Sequence, residues 1–342
     1  MAEETGTRLT LADVARACGV SEMTVSRVLR GQGHVSAATR QRVLAAAGEL
    51  GYVPNRIAGA LASQHVGLVG VVVPSLSNLV FPEVLDGIAR GLEGSPLQAV
   101  VGVSRYDEET EAQVVREMLA WRPSGLILAG LEHAPETRRM LAGAGVPVVE
   151  IMDVDGAAVD ACVGISHRTA GRRMAGEILA RGYRHIALLG TGQAADHRAR
   201  KRMEGFEAAL SAAGLAPVAR TAYAGGSSLV KGREMASAVL SEAPDADFLY
   251  AGNDVIAAGA LLHCLDAGLA VPARIGVAGF NGIALLAGLP LALATMDARR
   301  AETGWRAAQI VLDRLAGGAP NGPLREELEP RLVEGGTMRP LG

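Results

Sequence analysis

Apolar positions in the first fifty residues recur at helical spacing in three short runs, each opened by a hydroxyl residue. Leu11, Val14 and Ala15 form one stripe behind Thr10, with Asp13 at the capping-box position, and Gly19 ends the run in a turn. Val25 and Val28 form a second stripe in a helix over residues 22–29 that Ser21 caps. Val43, Leu44, Ala47 and Leu50 form a third behind Ser36, stopped by Gly51 with Pro54 following.

From Val66 the pattern changes. Gly67-Leu-Val-Gly-Val-Val-Val-Pro74 is a continuous apolar run, as in a strand buried on both faces. A helical pattern over residues 81–92 follows, then strand-like runs at 98–103, 125–129, 146–151 and 162–165 with helical stretches between them. The alternation predicts a parallel sheet covered by helices. It then restarts: strands at 185–190, 219–222, 248–251 and 275–280, with a helix at 202–213. Gly87-Ile-Ala-Arg-Gly-Leu92 and Gly205-Phe-Glu-Ala-Ala-Leu210 hold equivalent places after the first strand of each half. Two tandem α/β halves imply a bilobed body with a cleft, and ligands of such sheets bind beyond the strand carboxyl ends. The loops after Pro74 and Gly190 are the first places to look.

Composition narrows the class. The 342 residues suit two or three domains, and 49% of them are hydrophobic, enough for large cores. No apolar run reaches the roughly 18 residues of a membrane span, and the N-terminus shows no export signal, so a cytoplasmic, nucleoid-associated protein is expected. Cys18, Cys162 and Cys264 are scattered and odd in number, which suits buried thiols rather than a disulfide framework or metal site. The net charge is only −3, yet between Arg8 and Ala62 seven arginines face three acids. A basic small head on an acidic body fits a DNA reader.

Gly19-Val-Ser-Glu-Met-Thr-Val-Ser-Arg-Val-Leu29 sets a tight turn, an N-cap and a short helix directly after another short helix, as a recognition helix is presented to the major groove. Glu22, Met23 and, one turn later, Arg27 are its exposed positions. Thr24 and Ser26 are short hydroxyl donors suited to phosphates. With Thr10-Leu-Ala-Asp-Val-Ala15, Val20-Ser21, Thr24-Val-Ser-Arg-Val28, Val35-Ser36, Thr39-Arg40 and Glu49-Leu-Gly-Tyr-Val-Pro-Asn55 at fixed spacing, the chain resembles the LacI/GalR family of bacterial transcription regulators from Leu9 to about Thr337.

The resemblance implies an all-α three-helix headpiece and hinge helix joined to a bilobed α/β sensor of the type I periplasmic-binding-protein kind. Expected boundaries are 1–52 for the headpiece, 53–65 for the hinge, 66–165 with about 297–327 for one lobe, and 166–296 with about 328–342 for the other. Glu22, Met23 and Arg27 match base-facing positions. Arg27 suits guanine; Glu22 suits a cytosine amino group or, equally, a solvated charge at a helix start. Thr10, Ser21, His34 and Asn55 complete the expected DNA-contacting set. Pro54-Asn55-Arg56-Ile-Ala-Gly-Ala-Leu61 matches the family's hinge helix, which implies a minor-groove wedge at Leu61. Gly59 lowers helix propensity there by about 1 kcal/mol, suiting an element that melts without DNA. Partners are then a palindromic operator, a small effector and a second copy of the chain. The C-terminal tail carries no leucine heptad, so a dimer is expected rather than a tetramer.

For the sensor, Pro74-Ser75-Leu-Ser77-Asn78-Leu-Val80-Phe81 matches the family's effector loop, offering Ser75, Asn78 and Phe81, the last equally suited to plain core. Arg202-Met-Glu-Gly-Phe206 matches a motif whose arginine reaches the cleft. Arg198, one turn earlier, either assists or sits on the surface. Ala251-Gly-Asn-Asp-Val-Ile-Ala-Ala-Gly259 places Asn253 at the cleft and Asp254 in a structural role. At Gly279-Phe-Asn281 most relatives carry aspartate, so Asn281 removes a negative charge. With Arg202 kept, a sugar acid becomes the favoured effector. Glu22-Met-Thr-Val-Ser-Arg27, Met118-Leu-Ala-Trp121 and Val146-Pro-Val-Val-Glu-Ile-Met-Asp153 look like the gluconate-repressor branch. A gluconate-like aldonate or ketoaldonate is expected, with release from the operator as the default response; a neutral sugar or a corepressor stays open.

Rival classes fare worse. Gly190-Thr-Gly192-Gln-Ala-Ala195 fits a dinucleotide fingerprint, but Ala222-Tyr-Ala-Gly-Gly226 lacks the ribose-binding acid. No enzyme, cofactor or metal is expected, and the attached head argues against a transport-type binding protein. Leu61→Ala is expected to weaken binding to specific operator more than to random DNA in a salt-controlled titration; equal losses on both contradict the wedge.

Overall fold

Three caps start the headpiece helices where the hydroxyl residues predict. The computed structural model describes residues 9–31, 33–54, 67–318 and 323–341, and it falls into two compact units, Met1–Val66 and Gly67–Gly342. The first holds α1 (Leu11–Cys18), α2 (Glu22–Leu29) and α3 (Ala37–Leu50). The Thr10 backbone N–H and hydroxyl both donate to Asp13 Oδ2, at 2.9 and 2.7 Å. Ser21 Oγ accepts from Thr24 N and Ser36 Oγ from Thr39 N, each at 3.3 Å. Gly19, at φ 64°, closes α1 in the left-handed conformation that a side chain resists. Val14, Val25, Val28, Val43 and Ala47 make the core. The third stripe is narrower than its spacing predicts: Leu44 is 50% exposed and Leu50 36%, because only the Val43–Ala47 edge of α3 meets the other two helices.

The second unit opens with β1 (Leu68–Val73), α4 (Val80–Gly91), β2 (Gln98–Val103), α5 (Glu108–Ala120), β3 (Gly125–Ala129), α6 (Pro135–Ala142), β4 (Val148–Ile151) and β5 (Ala161–Gly164). These strands form a parallel sheet in the order β5-β4-β3-β1-β2, and β11 (Leu324–Glu327) joins it beside β5 from far along the chain. Period-two alternation sorts its core. Val69, Val71 and Val73 pack against Phe81, Val84 and Ile88 of α4 and against Ala307, Ala308 and Val311 of α11 (Arg300–Leu315). Val72, Leu126 and Leu128 face Val115 and Met118 of α5 on the other side.

The second half carries α7 (His167–Ala180), β6 (Ile186–Thr191), α8 (His197–Ala212), β7 (Ala219–Tyr223), α9 (Leu229–Glu242), β8 (Phe248–Ala251), α10 (Asp254–Asp266) and β9 (Gly276–Ala278). Its parallel sheet runs β7-β6-β8-β9. β10 (Thr295–Asp297) pairs antiparallel with β12 (Arg331–Val333) at its edge. The chain therefore passes between the sheets after β5, between β10 and α11, and between β11 and β12. Strand 146–151 starts two residues late in the structure, since Pro147 has no N–H for the ladder. The helix expected at 202–213 starts earlier, at His197, because Asp196 Oδ1 accepts from Ala199 N and caps it.

Three helix pairs cross backbone to backbone, each through a glycine on either side. A Cβ on Gly87 of α4 would stand 2.1 Å from Ala301 O, and one on Gly304 of α11 2.1 Å from Val84 O. Gly171 and Gly205 do the same for α7 and α8, at 2.0 Å from Arg202 O and 2.1 Å from Arg168 O. Gly232 and Gly259 do it for α9 and α10. Gly87 and Gly205, from the repeated glycine segments of the sequence, are thus contact points of the helix layer.

One buried strand position is charged. Glu150 of β4 is fully buried beside His133, whose Nδ1 lies 2.7 Å from Glu111 Oε1 of α5 and whose Nε2 lies 3.4 Å from Glu150 Oε1, a charge contact rather than a hydrogen bond. Burial alone would push His133 down, but the two carboxylates outweigh it and hold its pKa up at about 9.

Two predictions follow from this packing. On the single helix α7, Gly171→Ala forces backbone apart and is expected to cost about 1–3 kcal/mol. Gly176→Ala on the same helix enters open space and is expected to gain about 0.5–1 kcal/mol. Thermal melts shifting in the same direction for both contradict this packing. Because the folded pKa of His133 lies above the free value of 6.5, its contribution is fully present below pH 6.5 and is lost as pH rises through about 9. The melting temperature is expected to fall over that window, and His133→Gln to flatten the fall; an unchanged slope in the variant counts against the assignment.

Candidate functional site

Strand carboxyl ends from both sheets open on one cavity of about 250 Å³ between the two lobes. The loop after β1 brings Ser75, Asn78 and Phe81. Tyr106 follows β2, His167 follows β5, Tyr223 ends β7, Asn253 follows β8 and Asn281 follows β9. Arg198 and Arg202, one turn apart on α8, form a cationic wall. All seven residues expected at an effector site line this cavity: Ser75, Asn78, Phe81, Arg198, Arg202, Asn253 and Asn281.

Arg202 is 5% exposed and heavily engaged. Its Nη2 donates to Gly252 O at 2.7 Å and its Nη1 to His167 Nδ1 at 2.9 Å, while the guanidinium lies 3.7 Å over the Phe280 ring. Its Nε is buried with no partner among the described residues. His167 Nε2 lies 2.8 Å from Met152 O, so that nitrogen carries the proton and Nδ1 accepts from the arginine. Burial and the neighbouring Arg202 charge hold His167 well below its ordinary pKa, so the ring is neutral. Arg198 lies 5.8 Å from the Phe81 ring and makes no hydrogen bond or ion pair among the described side chains. Phe81 is fully buried in the core of the first lobe and borders the cavity.

The residue before Arg202 crosses the lobe boundary. Lys201 Nζ pairs with Asp153, just beyond β4, and with Glu132, beyond β3, at 2.6 Å for Glu132 Oε1. Its side chain is 4% exposed. Burial opposes the charge, but the two carboxylates outweigh it and hold the amine above its ordinary pKa.

Two asparagines are fixed in matching ways. Asn78 Oδ1 accepts from Val80 N at 3.2 Å and its Nδ2 donates to Tyr106 Oη at 3.0 Å. Asn253 Oδ1 accepts from Ile256 N at 3.1 Å and its Nδ2 donates to Tyr223 Oη at 2.8 Å. Of the carboxylates lining the cavity, Asp254 accepts from Thr295 Oγ1 at 2.5 Å and Ile283 N at 2.9 Å, a structural role, while Asp196 caps α8. Asn281 sits at φ 118°, its N–H bonded to Met296 O, beside a loop that buried Arg300 ties to Glu83.

In the headpiece, Glu22, Met23, Arg27 and His34 are exposed, Met23 by 63% although it is apolar. The hydroxyls expected at DNA are already engaged within the unit. Thr10 donates to Asp13, Ser21 and Thr24 pair with each other at 2.9 Å, and Ser26 receives Arg30. Asn55 and Leu61 lie outside the described residues. The Gly190-Thr-Gly192 segment ends a strand instead of opening a helix: α8 starts only at His197, so no helix N-terminus stands at those glycines to hold a phosphate.

Sequence reasoning missed Tyr106, His167 and Tyr223. Each stands at or just beyond a strand's carboxyl end, so applying that rule to every strand, and not only to the first of each half, finds them.

Comparison with known proteins adds identity to this geometry. The model for bacterial regulatory proteins of the lacI family matches residues 10–55, and that for periplasmic binding proteins and the sugar binding domain of the LacI family matches residues 67–326. The HTH-type transcriptional regulator GntR of Escherichia coli (strain K12) is 37% identical over 336 residues, 98% of each chain. The GntR regulator of Pseudomonas aeruginosa is 40% identical over 311 residues, 91% of this chain and 90% of that one. Among solved structures, a LacI-family transcriptional regulator from Silicibacter pomeroyi matches with a TM-score of 0.91 at 59% identity, covering 96% of this chain and 99% of its own. The lac repressor dimer bound to operator and the anti-inducer ONPF matches with a TM-score of 0.83 at 29% identity, covering 97% and 99%. Headpiece, two-lobed cleft and full-length similarity agree: the chain belongs to the LacI family, a DNA-binding transcriptional regulator and not an enzyme, with a sensor of the type I periplasmic-binding fold.

Proposed function

We propose that the cavity takes a sugar acid of the gluconate class and that its binding releases the headpieces from a palindromic operator, as in a repressor of sugar-acid use. One observation carries the ligand class. Two arginines of α8 face the cavity with no carboxylate paired to either. A buried cation with no counter-ion is costly, and an anionic ligand supplies one. Asn281, neutral where the family pattern carries aspartate, adds no repulsion. The similarity to regulators named GntR points the same way.

The response follows from where the cavity lies. Its walls belong to both sheets, so a ligand bridging them favours one arrangement of the lobes over another. A coupling of about 1–3 kcal/mol to operator affinity is the usual scale. Pairing of two chains supplies two heads for two half-sites.

Calorimetry on the full chain with gluconate, a ketoaldonate, glucose and galactose tests the ligand class. Binding of the acids and not the neutral sugars is expected. Arg202→Ala is expected to abolish measurable aldonate binding, and Asn281→Asp to weaken it about tenfold or more through repulsion. Binding of neutral sugars alone, or unchanged aldonate affinity in Arg202→Ala, overturns the reading.

A further inference from the structure

We propose that Tyr106 and Tyr223 are ligand-reading residues, whose hydroxyls donate from opposite lobes to acceptor oxygens of the bound acid. The proposal rests on the cavity being the effector site and adds what selects the ligand within it.

The hydrogen-bond directions fix what each hydroxyl offers. A backbone N–H can only donate, so Val80 N forces the Asn78 amide oxygen toward itself and turns the amide nitrogen toward Tyr106. The Tyr106 oxygen is thereby an acceptor for Asn78, and its own proton must point elsewhere. Among the described residues no acceptor takes it, and the tyrosine lines the cavity. Ile256 N sets Asn253 in the same way, so Tyr223 also receives the asparagine N–H, and its hydroxyl is shared between the cavity and the neighbouring Thr191 hydroxyl. An asparagine at a helix start bonded to a cavity-lining tyrosine at or beyond a strand end: each lobe builds the same device from unrelated sequence.

The backbone supports the idea that Tyr106 is held in place for a purpose. Arg105 and Tyr106 both sit at φ 57°, where a side chain other than glycine is strained. Two consecutive strained residues turn the loop after β2 so that the Tyr106 ring reaches the cavity.

The ligand chemistry follows from the donors. Arg198, Arg202 and the two hydroxyls present N–H and O–H groups. A carboxylate, which only accepts, satisfies them without offering a proton in return, whereas an alcohol at the same place brings a competing donor. Tyrosines and arginines together therefore prefer the acid over the corresponding alditol.

The test is calorimetry on the full chain with gluconate and with glucitol, which carries an alcohol where gluconate carries the carboxylate, for wild type, Tyr106→Phe and Tyr223→Phe, with a thermal melt of each. Each variant is expected to lose about tenfold or more in gluconate affinity while its ligand-free melting temperature stays within a few degrees of wild type. Any glucitol binding is expected to change by less than gluconate binding. Wild-type affinity for gluconate in both variants overturns this proposal alone. A lowered melting temperature with unchanged affinity does the same, because the tyrosines are then only supports for the asparagine caps. Failure of the wild type itself to bind gluconate overturns the effector reading, and this proposal with it.

Discussion

One buried ion cluster sets the geometry on which the sensor depends. Lys201 leaves α8, crosses to the first lobe and ends between Asp153 and Glu132 with its side chain almost wholly out of water. Removing one partner of such a cluster leaves an uncompensated buried charge, typically at a cost of 3–5 kcal/mol. The position of α8 against the ends of β3 and β4 is therefore tightly held. Arg202, the next residue, inherits that placement. The glycine crossing of Gly171 with Gly205 then brings α7 close enough for His167 to accept from Arg202 and donate to Met152 O.

Consecutive residues of one helix thus reach the same stretch of the first lobe, Met152 and Asp153, one directly and one through a neutral histidine. A ligand touching Arg202 acts on a side chain already wired across the seam. Under the proposed function, occupancy biases the lobes to the extent that the ligand's contacts differ between their arrangements. Neutral His167 matters here: protonated, it could not accept from the guanidinium, and two cations would face each other.

Much of this was legible in the sequence. Caps at Thr10, Ser21 and Ser36 and the valine runs of the strands depend on local rules, so the headpiece helices and both sheets could be read directly. The two repeated glycine segments showed the halves to be equivalent, and Gly87 and Gly205 within them lie at helix crossings that the sequence did not announce. The cleft residues Asn78, Arg202 and Asn253 followed from family motifs. Other features depend on contacts far apart in the chain. Lys201 drew no notice in the sequence because its partners lie 48 and 69 positions away. Tyr106 was missed because no local pattern announces a ring turned by strained backbone. Leu44 and Leu50 read as core because spacing cannot tell which edge of a helix finds a partner.

Under the proposed function, an acid in the cleft changes the affinity of the heads for DNA. Fluorescence anisotropy of a labelled duplex from upstream of the protein's own operon, at fixed salt, with and without saturating gluconate or glucose, measures it directly. Gluconate is predicted to raise the operator Kd by about 5–150-fold, with glucose leaving it unchanged. An operator Kd unmoved or lowered by gluconate, or raised equally by glucose, rules out release of the heads by an acid in the cleft.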